Sequence, residues 1–152
     1  MAVAPYRRSR APTLTPFDAM SEEHGTHDRA VWFDIPVADL DRAMAFYREV
    51  LACGIQKEAF GDVEFAVLDH GAGVGGCLVV KPEEIAGDGG PLLYLNVDGR
   101  IREAEAKVTE LGGEVLESTH MIGPHGHRAI VRDCEGNRIV LHSDRRSTRL
   151  NS

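Results

Sequence analysis

One order of elements, a strand, an acid-capped helix and a cluster of short strands, occurs twice in this chain and limits its fold more than any other feature. The first copy opens at Val31 (VWFDIPVADLDRAMAFYREVLACGIQ, then EFAVLD and GGCLVV), and the second opens at Leu92. Val37 and Val97 close the two opening strands, Gly54 and Gly113 follow the two helices, and the two separations agree to within one residue. Two copies of one supersecondary unit pack so that each covers what the other cannot bury alone. A ligand is therefore expected in the cleft between them.

Periodicity places the elements. From Ala30 to Val37, apolar Val31, Phe33, Ile35 and Val37 alternate with Trp32, Asp34 and Pro36, the pattern of a strand with two unlike faces. Asp39 is a good N-cap, and Leu40, Ala43, Met44, Tyr47, Val50 and Leu51 follow at helical spacing until Gly54 stops the run. Strands are predicted over 55–60, 63–68 and 76–80, and Pro82 with EEIAGDGGP forms the linker. The second unit predicts a strand over 92–97 and a helix burying Ile101, Ala104, Val108 and Leu111, with Gly112 and Gly113 as terminator. Its strands are expected near 114–119, 128–132 and 138–142. The fold class is thus α+β: two tandem βαβββ modules, 30–81 and 91–143, forming a curved, mostly antiparallel sheet around a cleft within a domain spanning 28–144.

Charge separates this domain from its ends. The chain of 152 residues carries a net charge of −7, yet residues 1–19 and 145–152 are both net basic, so the middle is more acidic than the whole. Such a surface repels phosphate backbones and argues against a nucleic-acid partner. The ends, 1–27 and 145–152, are rich in Pro, Ser, Thr and Arg without hydrophobic periodicity and are expected to be disordered. The Arg-rich start weakly resembles a transit peptide; the plainer reading takes Met20 as the functional start. No apolar run is long enough to span a membrane. Cys53, Cys77 and Cys134 are odd in number and lack CxxC spacing, so reduced thiols in a cytoplasmic protein are expected.

The segments PVADLDRAMAFYREVLACG, LNVDGRIREAEAKVTELGGEV and RDCEGNRIVLHS, in this order, resemble the vicinal oxygen chelate superfamily over about residues 30–143. That group includes glyoxalase I, fosfomycin-resistance proteins, bleomycin-binding proteins and extradiol dioxygenases. The resemblance implies a glyoxalase-like fold, frequent homodimers, and in the enzymes a divalent metal that chelates two neighbouring substrate oxygens. Matched residue by residue, the positions of the family's ligands fall on Trp32, Cys77, Leu92 and Val140. Trp, Leu and Val offer no lone pair suited to a hard cation, and one thiol cannot hold an octahedral metal. Shifting the register by one brings in Val31 or Phe33, Pro91 or Leu93, and Ile139 or Leu141, none better. No metal or other cofactor is therefore expected.

Alternation puts Asp34, Tyr94, Asn96 and His142 on the same face as those positions, with Arg138 nearer the rim. The eight candidate substrate-binding residues are Trp32, Asp34, Cys77, Leu92, Tyr94, Asn96, Val140 and His142. Trp32 offers a stacking surface, while Asp34 and His142 can exchange protons. A competing reading makes Trp32 core and pairs Asp34 with Arg138. Two functions remain open: a metal-free module that binds a small organic molecule, or a glyoxalase-type lyase, isomerase or dioxygenase with Asp34, Tyr94 and His142 as nonstandard acid, base or metal ligands. Gly71-x-Gly73-x-x-Gly76 matches a dinucleotide fingerprint as a string but leads into CLVV rather than a helix, and reads as a flexible loop bordering the cleft. His120, His125 and His127 cluster in a predicted hairpin loop, where exposure is the plainer reading and a transition-metal site with Cys134 or His142 the alternative. Cys53, without a base beside it, reads as a small buried residue.

Overall fold

The computed structural model describes residues 28–144. The expected disorder of 1–27 and 145–152, and Met20 as a start, fall outside the described residues. The first module runs β1 (Trp32–Val37), α1 (Leu40–Leu51), β2 (Ile55–Phe60), β3 (Val63–Leu68) and β4 (Gly75–Val80). After a 3-10 turn at Pro82–Glu84, the second runs β5 (Tyr94–Asn96), α2 (Ile101–Glu110), β6 (Glu114–Met121), β7 (His127–Arg132) and β8 (Arg138–Ser143). The two-module α+β architecture is the one the repeat predicts. Its strands divide into two four-stranded sheets, ordered β1-β4-β3-β2 and β5-β8-β7-β6. In each, the opening strand pairs in parallel with the last, and the remaining pairs are antiparallel.

Local chemistry sets the element ends. Asp39 caps α1 by accepting the Arg42 amide at 3.1 Å, an interaction of about 1 kcal/mol. The left-handed residue that ends the helix is Ala52 (φ 53°), not Gly54. The chain must reverse immediately after Leu51, and an alanine tolerates that conformation at a cost of about 1–2 kcal/mol. Gly54 instead lies at the entry to β2, where its carbonyl accepts the Asp69 amide. β5 is shorter than predicted, and β6 runs further, to Met121, with register shifts against β7 after Val115 and Glu117. Val31, which shares the parity of Phe33 and Ile35, lies before β1 and is 50% exposed.

Alternation decides which face meets the helices. Ile35 and Val37 of β1, Leu95 and Val97 at β5, and Ala129, Val131, Ile139 and Leu141 of β7 and β8 all enter one core with both helices. The two modules therefore share a single interior, with α1 packed on α2. The opposite faces of the strands, free of helices, are left to carry other residues.

The turn Asp133–Asn137 between β7 and β8 locks the modules together. Asp133, 3% exposed, accepts the Tyr47 hydroxyl of α1, the amides of Glu135 and Asn137, and the Asn137 side chain. Asn137 also donates to the Pro36 carbonyl at 2.8 Å. Glu135 accepts the Ala38 and Asp39 amides at the start of α1 and pairs with Arg42. In return Arg100, at the start of α2, donates to the Val50 and Glu49 carbonyls at the end of α1.

Glu135 ties this lock to pH. Burial acts to raise its pKa, but the Asp39 and Ala38 amides and the Arg42 guanidinium outweigh it and hold the carboxyl below the ordinary glutamate value. A depressed folded-state pKa contributes stability that is present above the unfolded pKa and lost as pH falls through the folded one. Glu135→Gln should thus lower the urea midpoint at pH 7 by more than it does in acid. The gap between variant and parent is expected to close below about pH 4, as titrated by urea curves at stepped pH.

Candidate functional site

Seven of the eight candidate residues fall into two groups, one on the helix-free face of each sheet, and Leu92 lies just before β5. On the first sheet, Asp34 lies opposite Cys77 in the parallel ladder, with Trp32 opposite Gly75. Trp32, Val63 and Val67 pack on buried Phe65, Cys77 and Val79, a satellite cluster separate from the main core. The Trp32 ring stands edge-on to His70, its centroid 5.8 Å away, and its indole N–H is buried with no partner among the described residues. Asp34 is exposed and accepts the Cys77 thiol at 3.4 Å, while Arg138 lies on the other sheet, so the predicted Asp34–Arg138 pair does not form. Burial first, and the Asp34 charge second, push the Cys77 thiol up to about 12. It is a neutral thiol at physiological pH and neither a nucleophile nor a thiolate ligand.

On the second sheet, Tyr94 pairs with Val140 and Asn96 with His142 across β5 and β8. Leu92, half-buried, precedes β5 and shares the parity of Tyr94. The ladders continue across β7 and β6: His142 lies opposite Arg128, and Arg128 opposite His120. Asn96, His142, Arg128 and His120 thus form one polar row across all four strands. The Arg128 guanidinium reaches over β8 to the Tyr94 hydroxyl, and its Nε donates to His120 Nε2 at 3.2 Å. Val140, between those partners, is fully buried. His142 donates from Nε2 to the His125 carbonyl at 2.8 Å, and its ring is tilted against Tyr94. Sequence reasoning does not single out Arg128 or His120 for this face. The signal available is their place on alternate positions of β6 and β7, which becomes informative only once the register is known.

A cleft of about 590 Å³ opens between the modules, bounded by Phe33, Leu51, Cys53, His70, the glycine-rich segment and Tyr94 to Asn96. Tyr94 and Asn96 join this cleft to the polar row. Cys53 lines it and is partly buried, packed against the main core. The glycine-rich string leads into β4 and no helix follows, so the dinucleotide fingerprint has no structural counterpart. Its glycines serve close packing: a Cβ at Gly75 would collide with the His70 ring, and one at Gly76 with the Phe33 ring.

The residues at the family's ligand positions do not fit a divalent metal. Trp32, Leu92 and Val140 offer no donor for a hard cation, and the only sulfur, that of Cys77, is a protonated thiol. The hairpin histidines do not converge either. His120 is taken by Arg128 and the Ser118 carbonyl, and His125 offers its backbone oxygen to His142. Among the described residues, no three His, Cys, Asp or Glu side chains are placed to hold a metal ion. Asp34 is on a different sheet from Tyr94 and His142.

Paired βαβββ modules with helices packed inward define a glyoxalase-like architecture. A crystal structure of a glyoxalase/bleomycin resistance protein/dioxygenase family enzyme from Burkholderia phytofirmans matches with TM-score 0.59 at 16% identity, covering 75% of this chain and 97% of that one. A domain of the same description from Frankia matches with TM-score 0.59 at 17% identity, covering 78% and 98%. A glyoxalase I mutant from Zea mays matches with TM-score 0.59 at 20% identity, over 74% of this chain and 45% of that one. At these identities the likeness shows the fold alone. In sequence, residues 29–70 match the family model described as bleomycin resistance protein-like N-terminal. A glyoxylase-like domain-containing protein of Didymella fabae is 31% identical over 104 residues, 65% of this chain and 80% of that protein. The chain belongs to the vicinal oxygen chelate superfamily, the glyoxalase and bleomycin resistance group.

Proposed function

We propose that this protein binds a small organic molecule on the helix-free side of its sheets and in the adjoining cleft, without the divalent metal of the family's enzymes. The observation that carries this reading is the donor set: Trp32, Cys77, Leu92 and Val140 stand where metal ligands would be, and none suits a hard cation. The surroundings suit an amphipathic ligand, with buried Val140 and Ile130 beneath Tyr94, Arg128 and His142.

Elemental analysis of the purified full chain, followed by thermal-shift measurement with nickel, zinc, manganese and iron(II), tests it. No stoichiometric metal and no midpoint shift at micromolar ion are expected, because only a ligand that binds the folded state raises its stability. Stoichiometric metal, or strong stabilisation by any of these ions, would overturn the reading. Trp32→His supplies a second test: ligand affinity should change if Trp32 belongs to the site, and an unaltered affinity would remove it.

The reading includes a homodimer in a reducing compartment such as the cytoplasm. β1 and β5 each pair along one edge only among the described residues, and Cys53, Cys77 and Cys134 are free thiols. Light scattering should give twice the chain mass of 16.6 kDa at micromolar concentration. A monomer there would count against the dimer.

A further inference from the structure

The geometry points to a small planar organic anion, an aromatic carboxylate, as the ligand class of the second module's helix-free face, with Arg128 as the residue that receives the charge. This rests on the small-molecule reading above and narrows it.

The strongest observation is an uncompensated guanidinium in an acidic protein. With 24 Asp and Glu against 17 Lys and Arg, carboxylates are plentiful, and Arg42 and Arg132 both sit in ion pairs. Arg128 does not: among the described residues no carboxylate lies within ion-pair distance of it, and its two partners are Tyr94 Oη and His120 Nε2, the latter 3.8 Å from the Glu117 carboxylate. Those two bonds fix the plane of the fork and occupy Nε and one N–H of Nη1. A guanidinium has five N–H donors, so those left on Nη1 and Nη2 are available to a ligand. A carboxylate matches that fork with two parallel charge-assisted bonds, which a neutral amide of the same shape cannot copy.

The neighbours specify the rest of the ligand. Tyr94, 45% exposed, offers an aromatic surface at the sheet edge, tilted against the His142 ring. Ile130 and Val140 lie buried in the next row, so the open surface belongs to Tyr94 and the polar row. Beyond them, at the far end, stands Arg138, four residues along β8 from His142 and so about 13 Å away. Its guanidinium makes that end cationic as well, and its Nε is buried without a hydrogen-bond partner among the described residues. Charge and aromatic surface together fit a ring bearing a carboxylate better than a neutral sugar or a cation.

Sodium benzoate and its neutral isostere benzamide are the probes, titrated into the full-length chain and followed by backbone amide chemical shifts. Benzoate should bind with shifts at Tyr94, Arg128 and His142, and benzamide should be about ten- to hundredfold weaker. Arg128→Gln should remove that preference, and raising salt should weaken benzoate alone. Equal binding of both probes at this face would overturn the anion assignment and leave the small-molecule reading standing. Benzoate shifts confined to the first module, or a preference that survives Arg128→Gln, would overturn it too. Failure of both probes to bind in the millimolar range would count against both readings. Because the benzoate and benzamide comparison is made on the parent chain, the test holds even if the variant folds poorly.

Discussion

Asp133→Ala is expected to be the most damaging single substitution in this domain, lowering stability by about 3–4 kcal/mol. The carboxyl is 3% exposed and accepts four hydrogen bonds, from Tyr47, two backbone amides and the Asn137 side chain. Alanine would leave the Tyr47 hydroxyl and the Asn137 amide buried without partners, each at about 1–3 kcal/mol. It would also free the turn that presents Glu135 to α1. The Tyr47 hydroxyl is kept protonated by burial and by the Asp133 charge, which push its pKa well above the ordinary tyrosine value, so it donates throughout the neutral range. Urea unfolding should show a lower midpoint with an unchanged slope, as for a native state weakened and not expanded. Tyr47→Phe should cost only about 1 kcal/mol, since Asp133 keeps three donors. If Asp133→Ala were no worse than Tyr47→Phe, the turn would not be the lock described.

The second large effect is expected at Gly126, between the hairpin histidines and β7. Its backbone (φ 90°, ψ −144°) lies in a region that residues with a Cβ rarely enter. Space is short there as well: an alanine Cβ would collide with the Ser143 carbonyl and sit 2.9 Å from the Asp144 backbone. Strain and overlap together should cost about 2–4 kcal/mol, and lower the thermal midpoint by roughly 8 °C or more. Gly123→Ala is the control. That glycine also has positive φ (63°), but nothing lies within 4 Å of an added Cβ, so only the conformational cost of about 1–2 kcal/mol should appear. Gly126→Ala should also displace the neighbouring His125 carbonyl, which holds His142. Calorimetry on the two variants separates collision from strain, and equal midpoints would show that the close approach is unimportant.

Much of this architecture is legible in the sequence because the two periods that build it are local. Alternation along β1 places Ile35 and Val37 inside and Asp34 outside, and helical spacing finds the buried stripe of α1. The end of that helix is not legible, since Ala52 takes a conformation that a glycine would signal, and only its surroundings compel it to. The candidate site is legible in part. Tyr94, Asn96 and His142 follow from parity, whereas Arg128 and His120 depend on ladder register between strands far apart in the chain. The distribution of the candidate residues over two sheets is equally out of reach. It follows from which strands pair, and side-chain alternation within a strand carries no information about that.

Because both helices face one shared core, the strands that enter it have one side committed to that core and another that carries different residues. Neighbouring residues of β7 and β8 therefore answer to different demands: Ala129, Val131, Ile139 and Leu141 to packing, Arg128, Arg138 and His142 to whatever arrives from solvent. A lineage built this way can rewrite every second letter of a strand and change its ligand while its folding stays intact.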